Sequence, residues 1–365
     1  MSQVILARGG WAHLHDLQEM LVIAICAVVA DAENFADIAL WGRNNEDWLR
    51  QFMVLKNGTP SHDTFNRLFR LLDPTQFENA FRRWTSSVVS ALGGLLAVDG
   101  KTVRGSGDGE ANPIHMVSAF RSDLGLVLGQ EKVAEKSNEI TAIPELLKAL
   151  FIKGCLVSID AMGCQKEIAA TILAKEADYL LAVKGNQPSL METVVGHFTV
   201  NRCNRLRAAG NCFEEGEQSH GRLVAQRYWV APNNGLVDPA VWPGCQMLGI
   251  VESQRVVGGK ISEPEHRYYI SSRMMSAETF AAAVRGHWGV ENRLHWMLDV
   301  TFGEDDSMIK KDDAPQNFSL LRKIALTTLR RDPPPGTAKL SMRQKRKAAA
   351  WNVNAVATQL GLVRR

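Results

Sequence analysis

Apolar residues recur every three or four positions through roughly the first 90 residues. In LQEMLVIAICAVVADAENFADIALWGRNNEDWLRQF this spacing predicts helix, Gly58, Pro60 and Asp63 interrupt it, and a second run, DTFNRLFRLL, stops at Asp73 and Pro74. The expectation is a compact all-helical N-terminal domain over residues 1–90. Ser61, His62, Asp63 and Thr64 have the chemistry of catalytic groups, but a Ser or Asp ahead of an amphipathic run is first of all an N-cap.

At Leu95 the period changes. LLAVDG, HMVSAFRS and GLVLGQEKVA predict a meander of three neighbouring strands, followed by a helix at about 140–150. LVSIDA, QKEIAATILAKEA and DYLLAVKG then predict strand, helix and strand, with the buried apolar character of parallel pairing and a right-handed crossover. Beyond a helix predicted at SLMETVVGHFTV come GRLVAQRYWVAP, CQMLGIVESQRVV and HRYYISS, joined through Asn-Asn-Gly and Gly-Gly turns. These predict a small, mostly β insertion over 188–272. Helical spacing returns in SAETFAAAVRGHWGVENRLHWMLDVTF, with Ser276 as N-cap, and PPPG marks a loop before the C-terminal tail. The class expected is α/β, with a core over 91–187 and 273–332.

Two of these strands end alike. LLAVDGK and LVSIDAMG each push an aspartate, Asp99 and Asp160, out of a buried apolar run. Desolvating a carboxylate is costly, so each needs a partner or caps the following turn. Strand ends are also where α/β sheets bind ligands. In the late helix His287, Glu291 and His295 lie four apart on one face. That stripe is open to three readings: a zinc site, a buried polar network, or a Glu291 that joins Asp99 and Asp160 while the histidines approach phosphate. Two aspartates and a glutamate form an all-oxygen set that suits Mg²⁺, or Mn²⁺, better than zinc. Such ions activate an attacking oxygen and stabilise the leaving one in phosphodiester chemistry.

Charge supports a polyanionic partner. The net charge is only +3, yet residues 308–365 hold 13 Lys and Arg against 3 Asp, which makes this tail (333–365 beyond the loop) basic and the rest acidic. Lys101 and Arg104 beside Asp99, and Lys184, Asn186 and Gln187 at the end of DYLLAVKG and just beyond it, are candidate phosphate contacts on DNA. The six cysteines lack any CxxC pair, and the longest apolar run, LVIAICAVVA, is too short to span a bilayer. No membrane association and a cytoplasmic location, near the nucleoid, are expected.

At these residues the chain resembles DDE transposases of the insertion-sequence class, in their H-repeat-associated branch. The blocks that carry the resemblance are GTPSHDTFNRLFRLLDP, AVDGKTVRGS, HMVSAF, KSNEI, VSIDAMGCQ, DYLLAVKGNQ and HWGVENRLHWMLDVTFGEDDS. It implies a ribonuclease-H-like catalytic core interrupted by a β insertion, and an acidic triad of Asp99, Asp160 and Glu291 that is both catalytic and metal-binding. It further implies an endonuclease that cuts at the terminal repeats of its own mobile element and transfers the strand into target DNA, as a homodimer on DNA. His287, Asn292 and His295 are further candidates for positioning DNA. The rival expectation is an inactive relic that only binds DNA.

Overall fold

The computed structural model describes residues 14–89, 93–107, 112–135, 137–219, 222–257 and 260–362. The Gly-Gly turn at 258–259 and the ends of the 1–90 and 333–365 expectations lie outside them. Five helices come first: α1 (Leu17–Val29), α2 (Phe35–Asn44), α3 (Glu46–Leu49), α4 (His62–Leu71) and α5 (Pro74–Val88). Their starts follow capping chemistry. Asp16 accepts the Glu19 amide at 3.0 Å, Ser61 accepts that of Thr64 at 3.3 Å, and Asp73 accepts that of Thr75 at 2.9 Å ahead of Pro74.

One mixed sheet organises the rest. Strands β1 (Leu95–Thr102), β2 (His115–Arg121) and β3 (Leu126–Lys132) form the expected antiparallel meander. Helix α6 (Glu139–Ala149) leads to β4 (Leu156–Ile159), which lies parallel to β1, and α7 (Lys166–Ala174) leads to β5 (Asp178–Val183), parallel to β4. After α8 (Pro188–His197) and α9 (Val200–Ala208) come β6 (Cys212–Ser219), β7 (Arg222–Pro232), β8 (Met247–Val257), the short β9 (Lys260–Ile261) and β10 (Glu265–Ser271). The strand order is β3-β2-β1-β4-β5-β10-β8-β7-β6, with β9 paired to β8. The strands of segment 188–272, expected as a small, mostly β insertion, extend the central sheet. Pairing of β10 with β5, Tyr268 opposite Val183 through Ser271 opposite Leu180, satisfies the edge that β5 would otherwise present.

The pleat sorts side chains between two faces. Leu96, Val98, Val157 and Ile159 enter one core with Ile143, Leu146, Ile168 and Ile172 of α6 and α7. On the opposite face Ala97 packs with Val290 and Leu294, and Leu156 packs with Phe280 and Val284. These partners belong to one long, continuous helix: α10 (Ala277–Val290), a π-helical turn at Glu291–His295, and α11 (Trp296–Phe302). Ser276 caps it, accepting the Thr279 amide at 3.1 Å. Gly286 lets α10 pass close to β1, since a Cβ there would stand 2.3 Å from a Leu95 methyl carbon.

The C-terminal segment folds back onto the N-terminal helices. Helix α12 (Ala314–Arg331) is buried along most of its length, α13 (Met342–Trp351) and α14 (Val353–Leu360) follow it, and all three pack against α1. Asn317 on α12 donates to the Phe69 and Leu72 carbonyls at 2.9 and 2.8 Å, and so closes the end of α4. Arg346 of the basic block is buried: it donates to the carbonyls of Thr301, Val28 and Ala32 and pairs with Asp31 at 3.1 Å. The all-helical part is thus built from both ends of the chain.

Candidate active site

Register brings the two strand-end aspartates together. Val98 lies opposite Ile159 in the parallel β1–β4 pair, so Asp99 and Asp160 occupy the next step, about one inter-strand spacing (~4.8 Å) apart at the backbone. Both follow the pleat onto the face covered by α10 and the π turn, because Ala97 and Ser158 two residues earlier point there. Asp160 also performs the capping role weighed for it. Its Oδ1 accepts the amides of Met162 at 3.0 Å and Gly163 at 3.3 Å.

The helix supplies the other side. Glu291 opens the π turn with its side chain largely exposed, and its Oε2 lies 3.2 Å from Nδ1 of the buried His295. The same Nδ1 is 3.7 Å from Asp99 Oδ2. Ligand atoms of Asp99, Glu291 and His295 all fall within 4.8 Å of one another, and Asp160 borders this group without belonging to it. Burial pushes the Asp99 carboxyl up to about 7; the Gly100 amide works against this, and repulsion from Asp160, Glu139 and Glu291 adds to it. Burial likewise lowers the His295 imidazole, against the attraction of Glu291.

Such a set fits a divalent cation. The neighbouring carboxylates that raise the proton affinity of Asp99 bring negative charge that a hard cation would neutralise, and carboxylate oxygens are the donors such ions take. The zinc stripe of His287, Glu291 and His295 does not form. Glu291 and His295 stay paired at 3.2 Å across the π turn, whereas His287, one turn earlier in α10, meets Ser158 Oγ at 3.1 Å, with burial lowering its imidazole against the pull of Asp160.

The expected phosphate contacts divide. Arg104 is 82% exposed at its side chain, and Lys184 and Asn292 are exposed, so all three are available to an anion. Lys184 lines a cleft of about 290 Å³ beside Asp160, His287 and Trp288. Lys101 turns from solvent toward carboxylates: its side chain, 10% exposed, is 2.7 Å from Asp299, 2.8 Å from Asp305 and 3.4 Å from Glu304. Asn186 and Gln187 are mainly internal braces, donating to the carbonyls of Ala161 at 2.7 Å and Cys164 at 2.9 Å, which tie the loop after β5 to the Asp160 turn. Glu139, missed from the sequence, meets His115 Nε2 at 2.7 Å beside Gly100. Both lie in blocks quoted above, HMVSAF and KSNEI, but nothing in their spacing announces that they meet.

Comparison with known proteins agrees with this architecture. The Transposase DDE domain family matches residues 91–328, and the DDE_Tnp_1-associated family matches residues 2–85. The chain belongs to the DDE transposase family. It is 40% identical to the "H repeat-associated putative transposase YhhI" of Escherichia coli K12 over 97% of this chain and 94% of that one. It is also 40% identical to the "Putative transposase YncI" of Escherichia coli O157:H7, over 93% and 87%. A chain of the piggyBac transposase synaptic complex with hairpin DNA aligns with 98% of this chain and 74% of its own, at 12% identity and a TM-score of 0.44, too loosely to bear on the site. Among the described residues no helix is long and apolar enough to cross a membrane.

Proposed function

We propose that this protein is a DNA transposase with a ribonuclease-H-like core that cleaves phosphodiesters at the ends of its element and joins the freed 3′-hydroxyl to target DNA. The observation that carries the reading is the placement of Asp99 and Asp160 at one register step of adjacent parallel strands, on the face where Glu291 and His295 arrive. Asp99, Asp160 and Glu291 are the residues assigned to hold Mg²⁺ or Mn²⁺. When bound, the cations supply charge neutralisation and activation of the attacking oxygen. His295, through Nδ1, orients the Glu291 carboxylate toward Asp99. Arg104, Lys184 and Asn292 are exposed near these groups and serve to hold the phosphate backbone.

The test is cleavage and strand transfer on the element's own terminal repeats with Mn²⁺. Asp99→Asn and Asp160→Asn are each expected to lower the rate by at least about a thousandfold, the scale set by losing preorganised charge at a reacting phosphate, with DNA binding kept. Wild-type cleavage that survives either change would overturn the assignment. Binding by the wild type without any nicking would favour the inactive relic.

A further inference from the structure

Two segments, residues 101–105 beyond Asp99 and residues 299–307 beyond Glu291, are locked together. Lys101 lies two residues beyond Asp99 on β1. Its ammonium sits between Asp299 on α11 and Glu304 and Asp305 in the loop that follows. Burial opposes the charge on Lys101, but Glu304, Asp299 and Asp305 outweigh it and raise its proton affinity. The Arg104 amide also donates to Asp305 Oδ1 at 3.2 Å. Gly105 then passes so near the loop that a Cβ would stand 2.4 Å from the Ser307 carbonyl oxygen and 2.6 Å from that of Asp305.

The lock continues inward. Glu304 is fully buried and accepts from Ser319 of α12 at 2.9 Å, while Lys323 donates to Ser319 at 3.2 Å and to Gln130 of β3 at 2.5 Å. The anchors on both sides are therefore the sheet and α12, both well packed.

We propose that Lys101 is a positioning residue: with Gly105 it clamps α11 to β1 and so sets the distance between Glu291, at the start of the π turn midway along the same continuous helix, and Asp99. The inference rests on the transposase reading for what that distance is for. The clamp complements the His295 contact, which orients only the Glu291 carboxylate: Glu291 is exposed and begins a π turn, so neither its own burial nor regular helical geometry fixes its backbone. A buried cation facing three carboxylates resists displacement, since separating them leaves charge uncompensated.

The experiment uses the full chain. Lys101→Met and Gly105→Ala disturb the clamp by unrelated means, one through charge and one through bulk; Asp299→Asn is a milder third variant should Lys101→Met fail to fold. Mn²⁺ affinity is read by calorimetry, and hydrogen exchange over residues 291–302 is read without metal. Ile172→Ala, in the core beneath α7, serves as a control of comparable stability loss. The clamp variants are expected to weaken Mn²⁺ binding about tenfold, as loss of groups behind metal ligands does, and to speed exchange in the π turn and α11, while the control does neither. Affinity within about twofold of wild type with unchanged exchange would overturn the proposal, as would an equal change in the control. Wild-type protein that binds no Mn²⁺ would count against the metal reading, and the exchange measurement would still decide the clamp.

Discussion

Asp99 stores an unfavourable charge in the cation-free protein. Its carboxyl is pushed from an ordinary 3.8 up to about 7, so the folded state holds a proton that the unfolded chain releases. Linkage then fixes the sign: this group's contribution to stability falls as pH rises from about 4 to about 7, by on the order of 2–4 kcal/mol in full. Asp99→Asn is accordingly expected to unfold at a higher temperature than wild type at pH 8 without metal, with the gap closing near pH 4. Saturating Mn²⁺ should reverse the order at pH 8, because only the wild type gains from binding. Melting curves at the two pH values, with and without the ion, check this; a gap that does not depend on pH would refute it. The two aspartates were legible in the sequence because apolar strands ending in a carboxylate signal a partner. The fate of Lys101 was not, since its three partners lie about two hundred residues further along the chain and only the fold brings them near.

The π turn is the element on which the site depends. A straight α-helix through residues 287–295 would stack His287, Glu291 and His295 on one stripe; here Glu291 and His295 stay together across the π turn and face Asp99, while His287, in α10 before it, goes to Ser158. Deleting Asn292 should return the segment to regular helix and rotate all that follows by about 100° relative to α10. The variant is expected to keep its helical circular dichroism while losing cleavage and Mn²⁺ binding. Wild-type cleavage by it would show the turn to be incidental. Apolar spacing announced a helix here, with Ser276 at its start, but one inserted residue changes no pattern that spacing can report. The strands β6 to β10 teach the same lesson. Alternation marked them as strands, yet which edge they would pair with depends on β5 lying exposed for β10 to cover.

At the scale of the whole molecule, α12 joins the parts. It touches α1, α4 and α5 from the N-terminal region and β3 of the sheet, and its side chains are buried on nearly every face. Arg346 adds a second tie, with one guanidinium bonded to carbonyls of α1, the turn after it and α11. Arg346→Met should cost about 2–4 kcal/mol, since three buried acceptors lose their donor and Asp31 its cation. Denaturant titration checks this, and a loss under about 1 kcal/mol would count against it. Counting charges marked residues 308–365 as basic, but a count does not say which charges turn inward. The shared construction bears on how such genes decay. Helices α1 to α5 obtain much of their core from residues after position 313, so a copy whose reading frame is lost near its 3′ end does not leave behind a sound N-terminal module. Loss of those residues is expected to expose the apolar faces of α1, α4 and α5 that α12 covers, so such a product meets proteolysis before it can meet a partner.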